Sequence, residues 1–325
     1  MTWLYQYRRE QYIGGGFVLR QFLLLVRLPN IFTTPTNILT GYFAVVLPSG
    51  NVDALQITYL IFSSALLYTA GIVFNDYFDI VIDLRERPNR PLPSKSITTK
   101  KALLIGIISL LSSNLLALAV GVNSFAICVV LSAIVIAYDY KLKNTLIGPI
   151  VMGSARALNI ILGASPALFA AILLNENHIL VRIMFVSLSL LAYVFSISLL
   201  SRKEIVARGE EHVRENYDAN RQIVAISFLI IFAVVISITF AVFLGIFKFE
   251  LFASLSLFSL IMFFTFRQTN FHDPLTIQNA IKYMVISIVV LDSVFIIGLT
   301  GSYYGLLTLV LVPVALLSSK KLYVT

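Results

Sequence analysis

Apolar residues run in long blocks along most of the chain, separated by short polar stretches. The blocks fall near 31–48, 56–76, 102–120, 123–138, 146–173, 180–200, 222–246, 250–266, 280–298 and 303–318. A helix crossing a bilayer needs roughly 17–25 such residues, because each adds about 1.5 Å of rise. The pattern therefore predicts an all-α, polytopic transmembrane bundle of nine to ten helices. The blocks at 123–138 and 303–318 are the shortest. If the helices alternate in direction, the connections at 48–56, 121–123, 175–179 and 245–250 share one side and are short. The two long loops, 77–101 and 201–221, share the other side and carry most of the charged residues, so chemistry is expected there.

Composition agrees with lipid as the solvent. Of 325 residues, 58% are hydrophobic and 12% charged, against about 25% charged in an ordinary soluble domain. The length suits one membrane domain, 1–325. Its first 30 residues read as an interfacial arm in which Trp3, Tyr5, Tyr7, Tyr12 and Phe17 are interleaved with Arg8, Arg9 and Arg20. That arm has no signal-peptide pattern. The single cysteine, Cys128, lies in an apolar run, which excludes a disulfide framework or a cysteine-based metal site within one chain.

The net charge of +8 raises the question of nucleic acid. Its distribution answers it. Of the 24 Lys and Arg residues, 21 fall on the side of the long loops; Arg182 and Lys248 fall opposite, and Arg156 lies within a helix. Basic residues spread over alternate loops do not form a nucleic-acid surface. They follow the positive-inside rule, which places the long loops and both termini in the cytoplasm of a plasma-membrane protein.

The segment after the second apolar block carries the clearest chemistry. Asn75, Asp76, Asp79 and Asp83 are spaced i, i+1, i+4 and i+8, so on one continuous helix 75, 79 and 83 share a face with 76 beside it. Three carboxylates and an amide at the membrane surface repel unless something positive sits among them. Hard oxygen donors at this spacing suit Mg²⁺, which uses one or two carboxylates together with substrate phosphates. Arg87 and Arg90 follow, stiffened by Pro88, Pro91 and Pro93. Guanidinium forks match phosphate oxygens.

The pattern Asn75-Asp76-x-x-Asp79-x-x-x-Asp83, followed by Arg87-Pro88-x-Arg90-Pro91-x-Pro93-Ser94, resembles the first Asp-rich motif of the UbiA superfamily of intramembrane prenyltransferases. Lys95 stands where Gly is usual in that family. Arg27-x-Pro29-Asn30 and Asn37 are similar to its N-terminal pattern. Tyr138 with Lys141-Leu142-Lys143 resembles its Tyr…Leu-Lys loop, although both lysines also fit as positive-inside anchors. Gly153-x-x-Arg156-x-Leu158-Asn159-x-x-x-Gly163 is similar to a further segment. An arginine inside a membrane helix is expensive and favours a cavity, with snorkelling to the nearby membrane surface the alternative, and Asn159 shares its face.

The family's second motif, Asp-x-x-x-Asp, has no counterpart here. The chain reads Ser198-Leu-Leu-Ser201-Arg202-Lys203-Glu204 and then Gly209-Glu210-Glu211, a form that resembles the EboC-like branch. Glu204 is the best-placed acid, and Glu210 and Glu211 read as solvated.

The resemblance implies Mg²⁺-dependent transfer of a prenyl group from an isoprenoid diphosphate to an acceptor whose identity stays open. Asn75, Asp76, Asp79, Asp83 and Glu204 are the implied metal ligands. Asn37, Asn75, Arg87, Arg90, Tyr138, Lys143, Arg156, Asn159 and Arg202 are the implied diphosphate contacts, with Lys143 and Arg202 also assisting departure of the leaving group. Loops 77–101 and 201–221 are expected to cap the site. The alternative is a non-catalytic or transport-linked isoprenoid-lipid-binding protein with a degenerate second metal motif. Asp292, deep in the ninth block, serves either function or helix–helix hydrogen bonding. His178, His212 and His272 have no metal-ligand spacing.

Overall fold

The computed structural model describes residues 14–46, 52–206, 217–270, 273–301 and 304–322, and every regular element among them is helical. A short lead-in, α1 (Gly14–Leu25) and α2 (Leu28–Ile31), precedes α3 (Thr33–Val46). Then come α4 (Ala54–Phe78), α5 (Ile80–Glu86), α6 (Thr99–Val120), α7 (Val122–Tyr140), α8 (Gly148–Leu173), α9 (Asn177–Val206) and α10 (Tyr217–Phe243). The chain ends with α11 (Phe252–Gln268), α12 (Pro274–Ile286), α13 (Ile288–Thr300), α14 (Tyr304–Leu309) and α15 (Leu311–Leu322).

Eight spans among the described residues are long and apolar enough to cross a bilayer, with α12 and α13 together making the eighth. The first and last apolar blocks form shorter elements, α3 and the broken pair α14–α15. The nine-to-ten-helix expectation therefore holds, and its two least regular members lie at the two ends of the chain.

Sequence sets the boundaries locally. Asp53 caps α4 by accepting from the amides of Leu55 and Gln56, and Asp273 caps α12 by accepting from Leu275, with Pro274 at the first helical position. The eighth span bends at Ser287. There the Tyr193 hydroxyl lies 2.9 Å from the Met284 carbonyl and 2.7 Å from the Ser287 hydroxyl, so the backbone group exposed at the bend is satisfied.

Consecutive spans pack as neighbours, and α3 and α8 form the seam. One apolar cluster joins α3 and α8 to α4, α6 and α7 through Ile38, Leu60, Leu67, Ala117, Leu131 and Leu162. A larger one joins them to α9–α13 through Ala44, Ile160, Leu190, Ile231, Phe258, Met284 and Phe295. The seam is tight because it is built on glycines. A Cβ added at Gly41 would strike the Ile160 carbonyl, and one at Gly163 the Ile38 carbonyl. Small residues let membrane helices approach backbone to backbone, where dispersion replaces the hydrophobic drive that lipid removes. On the periphery, Leu104, Ile108, Leu111 and Leu115 form an exposed stripe along α6, as a lipid-facing surface should.

Candidate active site

The site lies where α4 leaves the bundle. The regular helix is interrupted at Asp79, and α5 follows at once, while the Asp79 and Asp83 amides still bond the Asn75 and Asp79 carbonyls. The expectation of one shared acidic face is corrected here: the carboxylates divide into two sets, each organised by a cation from elsewhere in the chain. Asp76 and Asp83, two turns apart, are bridged by Arg90, whose Nη1 lies 2.7 Å from Asp83 Oδ2 and 3.4 Å from Asp76 Oδ1. Arg27 adds a second guanidinium to Asp76 Oδ1 at 2.6 Å. Asn75 and Asp79 are joined by Lys143, whose Nζ lies 3.2 Å from Asn75 Oδ1 and 2.5 Å from Asp79 Oδ1.

Asp76 and Asp83 are almost completely buried, with 3% and 2% exposure. Carboxylates so placed need partners, because breaking a buried pair leaves an uncompensated charge costing about 3–5 kcal/mol. Burial also pulls the Arg90 guanidinium below its ordinary pKa; Arg27 and Arg87 push the same way, while Asp76 and Asp83 oppose them. The rigid loop that delivers Arg90 is a folded plug. Its Leu92 packs with Leu25, Val73 and Ala102, and Pro91 and Pro93 are buried beside it. Lys95 adopts φ 60°, a left-handed conformation. That explains why glycine suits this position.

Arg202 reaches the turn after α7. Its Nη2 donates to the carbonyl oxygens of Lys143, at 3.2 Å, and Thr145. It thus steadies the turn that presents Lys143. The side chain of Glu204 and all of Glu210 and Glu211 lie outside the described residues.

Below this charged mouth is a cavity of about 360 Å³, within the usual range of small-molecule sites. Evenly spaced residues of four helices line it: Leu67, Gly71 and Asn75 of α4, Leu131, Val135 and Tyr138 of α7, Met152 and Arg156 of α8, and Val194, Ile197 and Ser201 of α9. Asn75 belongs both to the charged mouth and to the cavity wall. Arg156 does face a cavity, stacked 4.9 Å from the Tyr68 ring centroid, with Nη1 3.3 Å from Asn37 Oδ1. Asn159 accepts from Ser64 at 2.7 Å and donates to the Thr34 carbonyl at 3.3 Å. Asp292 accepts from Thr36 and Asn37, tying α13 to α3. Tight packing holds these groups in place, since a Cβ at Gly153 would sit 2.7 Å from the Leu191 carbonyl.

Two residues at the site carry no clear signal in the sequence. Arg27 belongs to the Arg27-x-Pro29-Asn30 pattern, which says nothing of its pairing with Asp76. Asp139 also lines the cavity, yet between two tyrosines and beside a basic loop it carries no spacing signal.

Among the described residues, no three His, Cys, Asp or Glu side chains are gathered closely enough to hold a metal by themselves. The donor set still fits Mg²⁺. All its donors are hard oxygens, and this ion completes its shell with phosphate oxygens and water. Guanidinium and ammonium groups already lie against these carboxylates, which are therefore preorganised around positive charge.

A bundle of membrane-length helices with a charged mouth over a largely apolar cavity defines a polytopic α-helical membrane protein. The UbiA prenyltransferase family model matches residues 37–287, and the chain belongs to that family. It is 28% identical over 146 residues to a digeranylgeranylglyceryl phosphate synthase of Sulfurisphaera tokodaii, covering 44% of this chain and 51% of that protein. The chain spans about half the length of the curated relatives it matches. Its fold is similar to that of a UbiA homologue from Aeropyrum pernix, with a TM-score of 0.67 and 12% identity over 82% of this chain and 97% of that one. It is also similar to a UbiA homologue from Archaeoglobus fulgidus bound to GPP and Mg²⁺, with a TM-score of 0.56 and 14% identity over 85% and 99% of the two chains.

Proposed function

We infer that the protein transfers a prenyl group from an isoprenoid diphosphate to an alcohol acceptor of the glyceryl phosphate class. The observation that carries this reading is the place of Asn75, which belongs at once to the ion-paired mouth and to the wall of the apolar cavity. A ligand with an anionic head and a hydrocarbon tail matches both halves. The shared name of the relatives supports the acceptor class.

Asn75, Asp76, Asp79 and Asp83 are the oxygen donors that would hold Mg²⁺, with Glu204 the candidate from the second long loop. When bound, the ion supplies Lewis-acid stabilisation of charge on the leaving diphosphate. Arg90 and Lys143, now on carboxylates, turn their donors toward phosphate oxygens as the C–O bond breaks, and Arg87 adds charge beside them. Arg202 holds the Lys143 turn. The apolar stripes of α4, α7, α8 and α9 take the prenyl chain and keep water from the reacting carbon. The bias of basic residues toward the long loops supports a cytoplasmic mouth in the plasma membrane.

The test uses the purified protein in lipid nanodiscs with labelled geranylgeranyl diphosphate and geranylgeranylglyceryl phosphate. Formation of the ether product together with diphosphate release, both lost on chelation of Mg²⁺, is the expected result. A second reading, binding of isoprenoid lipid without turnover, is favoured by the lack of an Asp-x-x-x-Asp pattern at 198–211. Donor that binds and is never consumed with any acceptor would establish it instead.

A further inference from the structure

One carboxylate at the site is left unused by the scheme above. Asp139 sits on the last turn of α7, 5% exposed, and lines the cavity. Its Oδ2 is buried and has no hydrogen-bond partner. Lys143, four residues on, is already engaged by Asp79 and Asn75. A buried carboxylate oxygen with nothing to accept from costs several kcal/mol in an apolar setting, so a ligand that donates a hydrogen bond to it gains correspondingly. The neighbourhood matches the head of the site: Lys143, Asp79, Arg27 and Asp76 all lie within electrostatic reach of Asp139. Facing Oδ2 is Gly71 of α4, where an added Cβ would lie 3.8 Å from that oxygen and 2.7 Å from Val135 Cγ1. Gly71 lines the same cavity, and its missing side chain lets Val135 of α7 pack close against α4 beside Asp139.

We propose that Asp139 is the catalytic residue that receives the acceptor: its Oδ2 accepts a hydrogen bond from the acceptor hydroxyl and takes that proton during transfer. This rests on the prenyl-transfer reading and names a group that reading does not use. The step balances without a further reactant. The hydroxyl oxygen forms a bond to C1 of the prenyl group. The bond from C1 to the diphosphate oxygen breaks, its electron pair leaving with diphosphate, and the hydroxyl proton passes to Asp139.

The experiment compares wild type, Asp139→Asn and Asp139→Ala in nanodiscs, using binding of geranylgeranyl thiodiphosphate with Mg²⁺ and the rate of ether formation on geranylgeranylglyceryl phosphate. Asp139→Asn is expected to bind the donor analogue within about threefold of wild type and to lose transfer by about 10²–10⁴-fold, the usual range for a removed general base. Asp139→Ala vacates the space of the carboxylate, so added formate is expected to restore transfer by at least about tenfold while chloride at equal ionic strength does not. Transfer by Asp139→Asn within threefold of wild type overturns the proposal. So does an Asp139→Ala protein that binds the donor analogue and whose transfer formate leaves unchanged, and this arm stands if the Asn variant does not fold. A wild type that binds the analogue and transfers to no alcohol defeats the prenyl-transfer reading itself, a result distinct from either variant outcome.

Discussion

The Lys143 ammonium reaches from the turn after α7 to Asp79 on α4, with Nζ 2.5 Å from Oδ1, joining residues 64 positions apart in sequence. The two charges are mostly enclosed, with side-chain exposures of 13% and 20%. Lysine is held there by Arg202 at its own carbonyl. Lys143→Met and Asp79→Asn are each expected to reduce kcat/KM for the diphosphate by at least about 100-fold, since each removes part of the charge-stabilising set. Residues in contact do not act independently, so the double variant should fall short of the product of the two losses by a coupling of about 0.5–3 kcal/mol. Losses that simply multiply would mean that the contact does not operate during turnover.

Much of the fold was legible because lipid imposes a length rule that sequence displays directly. The helices α4 and α6 to α11 lie where apolar blocks predict them, while the short α5 forms inside the expected 77–101 loop. The site was only half legible, for a definite reason. Helical spacing tells which of Asn75, Asp76, Asp79 and Asp83 lie near one another, and it is silent on what arrives from other helices. Arg27, Arg90 and Lys143 sort the acids into two sets, and only Arg90 is close to them in sequence. Asp139 was invisible because its significance is an unfilled hydrogen-bond site, a property of packing. The bonds of Arg202 to the carbonyls of the 142–145 turn were illegible for the same reason, since they join residues 59 and 57 positions apart.

Arg90 tests whether the ion-paired mouth also holds the fold together. Arg90→Met leaves Asp83, 2% exposed, without the cation that meets it at 2.7 Å. The cost of about 3–5 kcal/mol should lower the thermal midpoint by on the order of 10 °C. Replacing both partners, as in Asp83→Asn with Arg90→Met, removes the stranded charge and should recover most of that loss. The check is a thermal melt in detergent. A midpoint for Arg90→Met equal to wild type would show that the pair contributes nothing to stability.

Lys95 carries a local strain that a single change relieves. Its φ of 60° costs a residue with a Cβ about 1–2 kcal/mol, and glycine gives back about 0.5–1 kcal/mol of that in chain entropy. Lys95→Gly should therefore raise the melting midpoint slightly, by about 2 °C. Lys95→Ala, which removes the charge and keeps the strain, should not. Equal shifts in the two variants would assign the effect to charge.

The glycine seam should be the most sensitive place in the bundle to added volume. Gly163→Ala drives a methyl group into the Ile38 carbonyl, forcing α3 from α8, and overpacking of this kind costs about 1–3 kcal/mol. Asn159 lies one turn earlier on α8 and spans Ser64 of α4 and the Thr34 carbonyl of α3, so the displacement reaches the cavity floor. Lower thermal stability together with weaker binding of geranylgeranyl thiodiphosphate is expected. Weaker binding without loss of stability would mean that the seam shapes the cavity and does not hold the helices.

Orientation can be read with the protein's single cysteine as the starting point. Cys128 is buried among Ser63 and Ser113, with Sγ 3.4 Å from the Ser113 hydroxyl, so Cys128→Ser is a near-isosteric change that yields a cysteine-free background. Lys95 and Asn177 are both exposed and lie at opposite ends of the spans. A cysteine placed at each should react with a membrane-impermeant maleimide from one side only. The positive-inside rule, applied to the excess of Lys and Arg in the long loops, predicts that Lys95 faces the cytoplasm. In right-side-out vesicles Asn177→Cys should therefore label at once, and Lys95→Cys only after the membrane is opened. The reverse pattern would place the charged mouth outside the cell, where the positive-inside rule forbids it, and the source of its diphosphate would then have to be extracellular.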